Sequence, residues 1–283
     1  FAIQDEITSA ITATFPGRIE AEHTERARRM PTESMPAYEC VLAGKVLHHN
    51  SNKGDNAEAL RLLERAIELD PGYAHARAWR ACVMGQGTKY GWLDWSMDEV
   101  RNQLKDDLTN ALALDEDDAD IHRILAAVSI AHDDLEQAQH HQQKAHRLNP
   151  NYDLVVVQSG ELMTWRGRPE EGIELIKQAM ALNPFHPPRF WGHLGRAYFT
   201  GRHYMDATAA IEHIPTPDVL QCAFRAASHA FLDNQSESRR HVDAALKQNE
   251  SLTLGELMTM QHYGQDEDIE HFREGLLKAG FKQ

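Results

Sequence analysis

Apolar residues recur three and four positions apart along most of the chain, as in Leu60, Leu63 and Ile67. That spacing marks one face of a helix. No stretch shows the strict alternation of a strand. Short groups of turn formers interrupt the helical runs: Asn52-Lys-Gly-Asp55, His132-Asp-Asp134, Arg166-Gly-Arg-Pro169, Thr200-Gly-Arg202 and Asp233-Asn-Gln235. Their side chains and permissive backbones suit tight reversals. The pattern predicts an all-α chain of short helices joined by short turns.

A ladder runs through these helices. Its rungs are Ala66-Ile-Glu-Leu-Asp-Pro71, Ala111-Leu-Ala-Leu-Asp-Glu116, Ala145-His-Arg-Leu-Asn-Pro150, Ala179-Met-Ala-Leu-Asn-Pro184 and Ala245-Leu-Lys-Gln-Asn-Glu250, with leading alanines 45, 34, 34 and 66 residues apart. The middle intervals match the tetratricopeptide period of about 34 residues. The motif Trp191-Gly-His-Leu194-Gly195-Arg-Ala-Tyr198, followed by Ala207, also resembles the first helix of such a repeat. Gly160 with Gly172, and Ala126 with Ala138, hold the small-residue positions one and two repeats earlier. The ladder alanines are expected where second helices approach their neighbours closely. The leucine three positions later is expected to fill the core. The Asn-Pro or Asp-Pro step should end each helix, because the residue before proline is driven out of helical geometry. The proline should then open the next hairpin. The fold class expected is an α-solenoid of about six tetratricopeptide-like hairpins, with helical caps at both ends. An irregular α-solenoid of another family stays open as the alternative.

The ladder is not uniform. Residues 1–35 read as an N-terminal helix and linker, 36–250 as the repeats and 251–283 as C-terminal capping helices. A degenerate repeat ends near Pro215-Thr-Pro217. The long first interval holds an extra segment, 85–95, with Tyr90, Trp92 and Trp95. Such aromatics either anchor a partner or pack beneath a lengthened loop, and both readings stand. A last helix is expected over 269–279, capped by Asp266 or Asp268 and stopped by Gly280.

Composition narrows the partners. The 283 residues carry a formal net charge of -14, which argues against nucleic acid or an anionic membrane as partner of this segment, because both need a basic face. Cys40, Cys82 and Cys222 are too few and too scattered for a disulfide framework, and a reducing compartment fits. The longest apolar stretch, 124–131, is far too short to span a bilayer. Histidine is frequent, at 17 residues, which keeps a pH response open. The chain begins with Phe1 rather than Met and is expected to be part of a longer protein.

The pattern offers little chemistry. His48-His49 and His140-His141 are adjacent pairs that point apart on a helix, and His141 with His146 is poorly spaced, so no metal site is expected. Gly85-Gln-Gly87 lacks the context of a phosphate loop. The runs Asp115-Glu-Asp-Asp118 and Asp266-Glu-Asp268 suit helix starts. Neither a catalytic role nor a cofactor is expected. The first helices of tetratricopeptide hairpins line a concave groove, where Arg123, Gln158, Glu161, Arg189 and Arg196 should project. The three arginines could hold a carboxylate or an acidic peptide, or pair with Glu161.

Four phrases carry a wider resemblance: Phe1-Ala-Ile-Gln-Asp-Glu-Ile7, Ser34-Met-Pro-Ala-Tyr38 with Gly44 after it, the Gly91-Trp92 insertion, and Leu277-Lys-Ala-Gly280-Phe281. They resemble the C-terminal half of bacterial proteins that join a class III adenylyl cyclase or winged-helix DNA-binding domain to a TolB-like segment and tetratricopeptide repeats. The resemblance spans nearly the whole chain. It implies a non-catalytic, cytoplasmic regulatory module that binds a protein or peptide partner, or another domain of its own chain. Self-association remains open. The alternative is a small-ligand or pH-sensing domain.

Overall fold

The computed structural model of the protein describes residues 37–282. The expected N-terminal helix and linker over 1–35 lie outside the described residues. Among the described residues the chain forms fourteen helices: α1 (Ala37–His49), α2 (Lys53–Leu69), α3 (Ala74–Lys89), α4 (Met97–Leu114), α5 (Ala119–Ala131), α6 (Leu135–Leu148), α7 (Asp153–Trp165), α8 (Pro169–Leu182), α9 (Arg189–Thr200), α10 (Tyr204–Glu212), α11 (Val219–Phe231), α12 (Gln235–Gln248), α13 (Leu254–Thr259) and α14 (Asp266–Ala279). No strand occurs among these residues. The fold class is an all-α assembly of tetratricopeptide-like helical hairpins. The chain divides into two compact units: the first takes residues up to 129, 137–155 and 182–187, the second 130–136, 156–181 and everything from 188.

The ladder residues have a common structural role. Ala66, Ala111, Ala145, Ala179 and Ala245 are fully buried. Where the rung ends, an Asp or Asn side chain accepts the N–H two residues on: Gly72 to Asp70, Asp117 to Asp115, Phe185 to Asn183 and Ser251 to Asn249, all at 3.0–3.1 Å. Each is an Asx turn that redirects the backbone as it leaves the helix. Two expectations need correction. The ladder leucines do not fill the core, since Leu69, Leu114 and Leu148 are 39%, 49% and 37% exposed. Each is the last residue of its helix, so no following turn covers it. Nor do Pro71, Pro150 and Pro184 open the next helix. They sit in the turn, and the helices resume at Ala74, Asp153 and Arg189.

In the first unit α1 packs on α2, α2 on α3 and α3 on α4. The long interval is absorbed partly by helix. α3 and α4 have 16 and 18 residues, against 13 and 14 for α5 and α6. Residues 85–89, expected as loop, are therefore the end of α3. Arg80 of α3 grips buried Asp107 of α4 with two hydrogen bonds of 2.8 and 2.6 Å, a fork-on-carboxylate match that fixes the pair. A capping box between Ser96 and Glu99 starts α4.

In the second unit Gly160 and Gly172 let α7 and α8 meet backbone to backbone. A Cβ on either glycine would fall 2.7 Å from the other's carbonyl oxygen. Gly195 has the same function between α9 and α10, where a Cβ would meet Ile211 at 2.5 Å. The terminal helix α14 packs on α11. Its Phe272 and Leu276 are fully buried, and the Phe272 ring lies 4.6 Å from that of Phe224. Gly280 ends it with φ of 100°, as expected for a left-handed stop. The start is a correction: α14 begins at Asp266, after Gln265, and neither Asp266 nor Asp268 caps it. Asp268 instead pairs with Arg202 at 2.8 Å. The carboxylates still lie in the first turn, where the helix dipole favours them.

Candidate functional site

The polar centre of the first unit forms around Asp120, in the first turn of α5. Its buried carboxylate accepts hydrogen bonds from the Trp79 indole at 3.1 Å, the Tyr152 hydroxyl at 3.1 Å and the Arg123 guanidinium at 2.9 Å. The Lys45 ammonium stands 3.6 Å away. His75 bridges Asp118 and Asp120 at 3.0 and 3.2 Å. Burial opposes ionisation of Asp120, but Lys45, Arg123 and His75 together hold its carboxyl well below the usual carboxylate range. Burial likewise opposes charge on His75, and the two carboxylates outweigh it, so its pKa is raised. The result is a charge cluster assembled from α1, α3, α5 and the residue before α7.

Arg123, expected to project into a groove, belongs to this cluster. It is 3% exposed, bonds Asp120 and lies over the Trp79 ring at 4.9 Å. Its guanidinium is therefore enclosed in the cluster and does not project. The aromatic insertion lies in the same unit. Tyr90 and Trp92 stack at 4.8 Å, Gly91 supplies a left-handed turn with φ of 64°, and Trp92 N–H returns to Gly87 O at 2.7 Å. Leu93 fills the space over Gly87, where a Cβ would fall 2.8 Å from its side chain. Trp95 and Met97 are left 41% and 61% exposed. The insertion thus joins a half-buried stacked pair, Tyr90 with Trp92, to the exposed Trp95.

The second unit holds the other four residues singled out by the sequence. Glu161 on α7 accepts from Arg196 at 2.9 Å and approaches His193 at 3.3 Å, both on α9. Arg196 also lies over the Trp165 ring at 4.3 Å, a cation–π contact. Burial pushes the His193 imidazole down despite the neighbouring Glu161, with Arg196 and Arg189 adding to the effect. Gln158 is buried, while Arg189 is half-buried at the start of α9. Sequence spacing pointed to Glu161 and Arg196 but missed His193, Trp165, Asp120 and Trp79. Trp79 and Trp165 reach Arg123 and Arg196 from separate helices, so no local spacing reports them. Asp120 and His193, by contrast, each stand three residues before those arginines on the same helix, a spacing the sequence does carry.

Cys40, Cys82 and Cys222 are free thiols. Among the described residues, one group of side chains has the donors of a metal site: His229, Glu237 and His241. No helix among them is long and apolar enough to cross a membrane.

No known family profile matches the chain. One stretch is 32% identical over 78 residues to the protein named "Putative adenylate cyclase 3" of Rhizobium meliloti (strain 1021). The match covers 28% of this chain and 13% of that protein, so the chain spans only a small part of this relative. Among solved structures, the APC/C hetero-tetramer Cut9-Hcn1 is similar with a TM-score of 0.59 and 15% identity, over 90% of this chain and 45% of that one. A tetratricopeptide repeat protein from Parabacteroides merdae ATCC 43184 is similar with a TM-score of 0.51 and 14% identity, over 98% of both chains. Human IFIT1, solved as a dimer with PPP-AAAA, has a TM-score of 0.58 and 16% identity over 75% of this chain and 50% of its own. At these identities the likeness is one of fold, and the fold it supports is the tetratricopeptide-like array of hairpins already read from the ladder.

Proposed function

We propose that the chain is a non-catalytic protein-interaction module within a larger bacterial signalling protein of the adenylyl cyclase or winged-helix regulator kind. The observation that carries this reading is the array of in-phase hairpins, whose first helices bear fixed polar walls beside accessible side chains. Residues 36–250 supply the repeats, and 251–283 close them. In the first unit the insertion, with exposed Trp95 and the stacked pair Tyr90 and Trp92, offers aromatic contact area. In the second, Arg189 offers a charge at a helix start, while Gln158, Glu161 and Arg196 shape the surface. Arg123 and Arg196 act by holding their walls in place. The partner is a protein or peptide, or another domain of the same chain, and the module works in the cytoplasm. The partial likeness to the Rhizobium meliloti protein supports the signalling context.

Crosslinking in cells, using the whole protein, tests this reading. Wild type is compared with a Trp92→Ala/Trp95→Ala variant and with Arg189→Glu, each first shown to melt like wild type. Loss of the same crosslinked species from either variant is the expected result. Equal recovery of every species from all three proteins would overturn the assignment of these surfaces.

A further inference from the structure

The hairpin of α11 and α12 brings three metal-ligating side chains together. His229 lies in the last turn of α11. A link of three residues, with Asp233 at φ of 56°, reverses the chain. Asn234 then caps α12 by accepting the Glu237 N–H at 3.4 Å, which fixes Glu237 in the first turn. His241 follows four residues later, on the same face of the helix. One donor atom from each of the three side chains lies within 4.8 Å of the others. The two imidazole rings are parallel to within 7° at 5.5 Å.

Two details point to a ligand. His229 Nδ1 and His241 Nε2 are buried, and neither has a hydrogen-bond partner. Buried polar nitrogens are normally satisfied, and leaving two of them bare beside a carboxylate is costly. His241 is only 6% exposed, and its Nε2 stands 3.9 Å from Glu237 Oε2. We propose that His229, Glu237 and His241 bind one divalent transition-metal ion of the zinc class, with solvent completing its coordination. Two imidazoles and one carboxylate are the donor set such ions take, and hard ions such as magnesium or calcium prefer all-oxygen sites. Donors at about 2.0–2.2 Å from a tetrahedral ion lie roughly 3.4 Å apart, so modest side-chain rotation closes the set.

The surrounding charges are compatible with a cation. The charge of Arg225, on α11, is felt by both histidines, but Arg225 is paired with Glu212 at 3.0 Å. Arg240 contacts Glu237 at 3.2 Å from the solvent side. Burial, with Arg225, also keeps both imidazoles in their neutral, ligating form at neutral pH. No local spacing marks the site, because His229 and His241 are twelve residues apart and meet only across the turn. A bound ion would fasten α11 to α12 and raise the melting point by mass action.

Chelator-treated protein titrated with Zn2+ alone tests the site, by calorimetry and by thermal shift, with Co2+ absorption reporting coordination. The expected result is one ion per chain, a higher melting point, and at least about tenfold weaker binding in His241→Gln and in Glu237→Gln. His141→Gln, at a histidine pair in the other unit, should leave the affinity unchanged. Glu237 is partly exposed, so its variant carries the test should His241→Gln fail to fold. No stoichiometric binding, or binding indifferent to the Glu237 and His241 changes, would overturn the proposal.

Discussion

The Trp79 indole donates to the Asp120 carboxylate at 3.1 Å, and both side chains are buried. The indole is one of several donors that converge on a single acid, so the two residues carry unequal shares of the cluster. Asp120→Ala would leave Lys45 and Arg123 as buried cations without their counter-charge. Breaking a buried pair in this way costs about 3–5 kcal/mol. Trp79→Phe keeps the ring shape and the anion and loses one hydrogen bond to a charged group, about 1.5–3 kcal/mol. Urea unfolding of the two variants should place Asp120→Ala well below Trp79→Phe. The reverse order would mean that the tryptophan packing, and not the acid, organises the site.

Two glycines in helix interiors should respond to alanine with opposite signs. At Gly160 a Cβ would fall 2.6 Å from Ile176 and 2.7 Å from the Gly172 carbonyl, so α7 and α8 must move apart. Overpacking of this kind costs about 1–3 kcal/mol. At Gly85 in α3 a Cβ meets nothing within 4 Å. There the better helix propensity of alanine should stabilise the chain by up to about 1 kcal/mol. Denaturant midpoints for Gly160→Ala and Gly85→Ala measure both effects. A loss of stability at Gly85 as large as that at Gly160 would contradict the close-packing argument.

The ladder was legible because each of its marks has a local cause. A fully buried alanine where helices cross, and an Asp or Asn that accepts the N–H two residues on, act within a few residues of themselves. The helix periods, the turns and Gly280 were readable for the same reason. The misreadings concern what lies beyond the local helix. Leu69, Leu114 and Leu148 look like core residues by type but end their helices, so they are only partly covered. The insertion looked like loop because periodicity could not show that α3 continues to Lys89. Arg123 reads as a groove residue by helical phase; the i,i+3 spacing shows its partner Asp120, but not that Trp79 and Tyr152, from other elements, close over the pair. Pairings such as Trp165 with Arg196, or His229 with His241, arise only when separate helices dock.

His271 makes the second unit acid-sensitive in a defined window. Its ring lies 4.7 Å from Phe231 and nearly parallel to it, 5.0 Å from Phe199, and its Nε2 is 3.3 Å from the Tyr204 hydroxyl. Burial among these rings, with Arg202 nearby, lowers the imidazole to about 4, and Glu267 offsets this only in part. An unfolded histidine titrates near 6.5. Between those values the unfolded chain binds the proton that the folded one refuses, so stability rises with pH. The contribution is complete above about pH 6.5 and is lost progressively as pH falls toward 4. His122, His141, His229 and His241 are shifted in the same direction, so the whole chain should weaken in acid, and a single substitution must be judged by difference. His271→Phe fills the aromatic stack without a titrating group. Melting temperatures at pH 7.5 and pH 5 should differ less in this variant than in wild type. The same drop in both proteins would show that His271 takes up its proton without leaving the folded state, and that its ring environment does not resist charge.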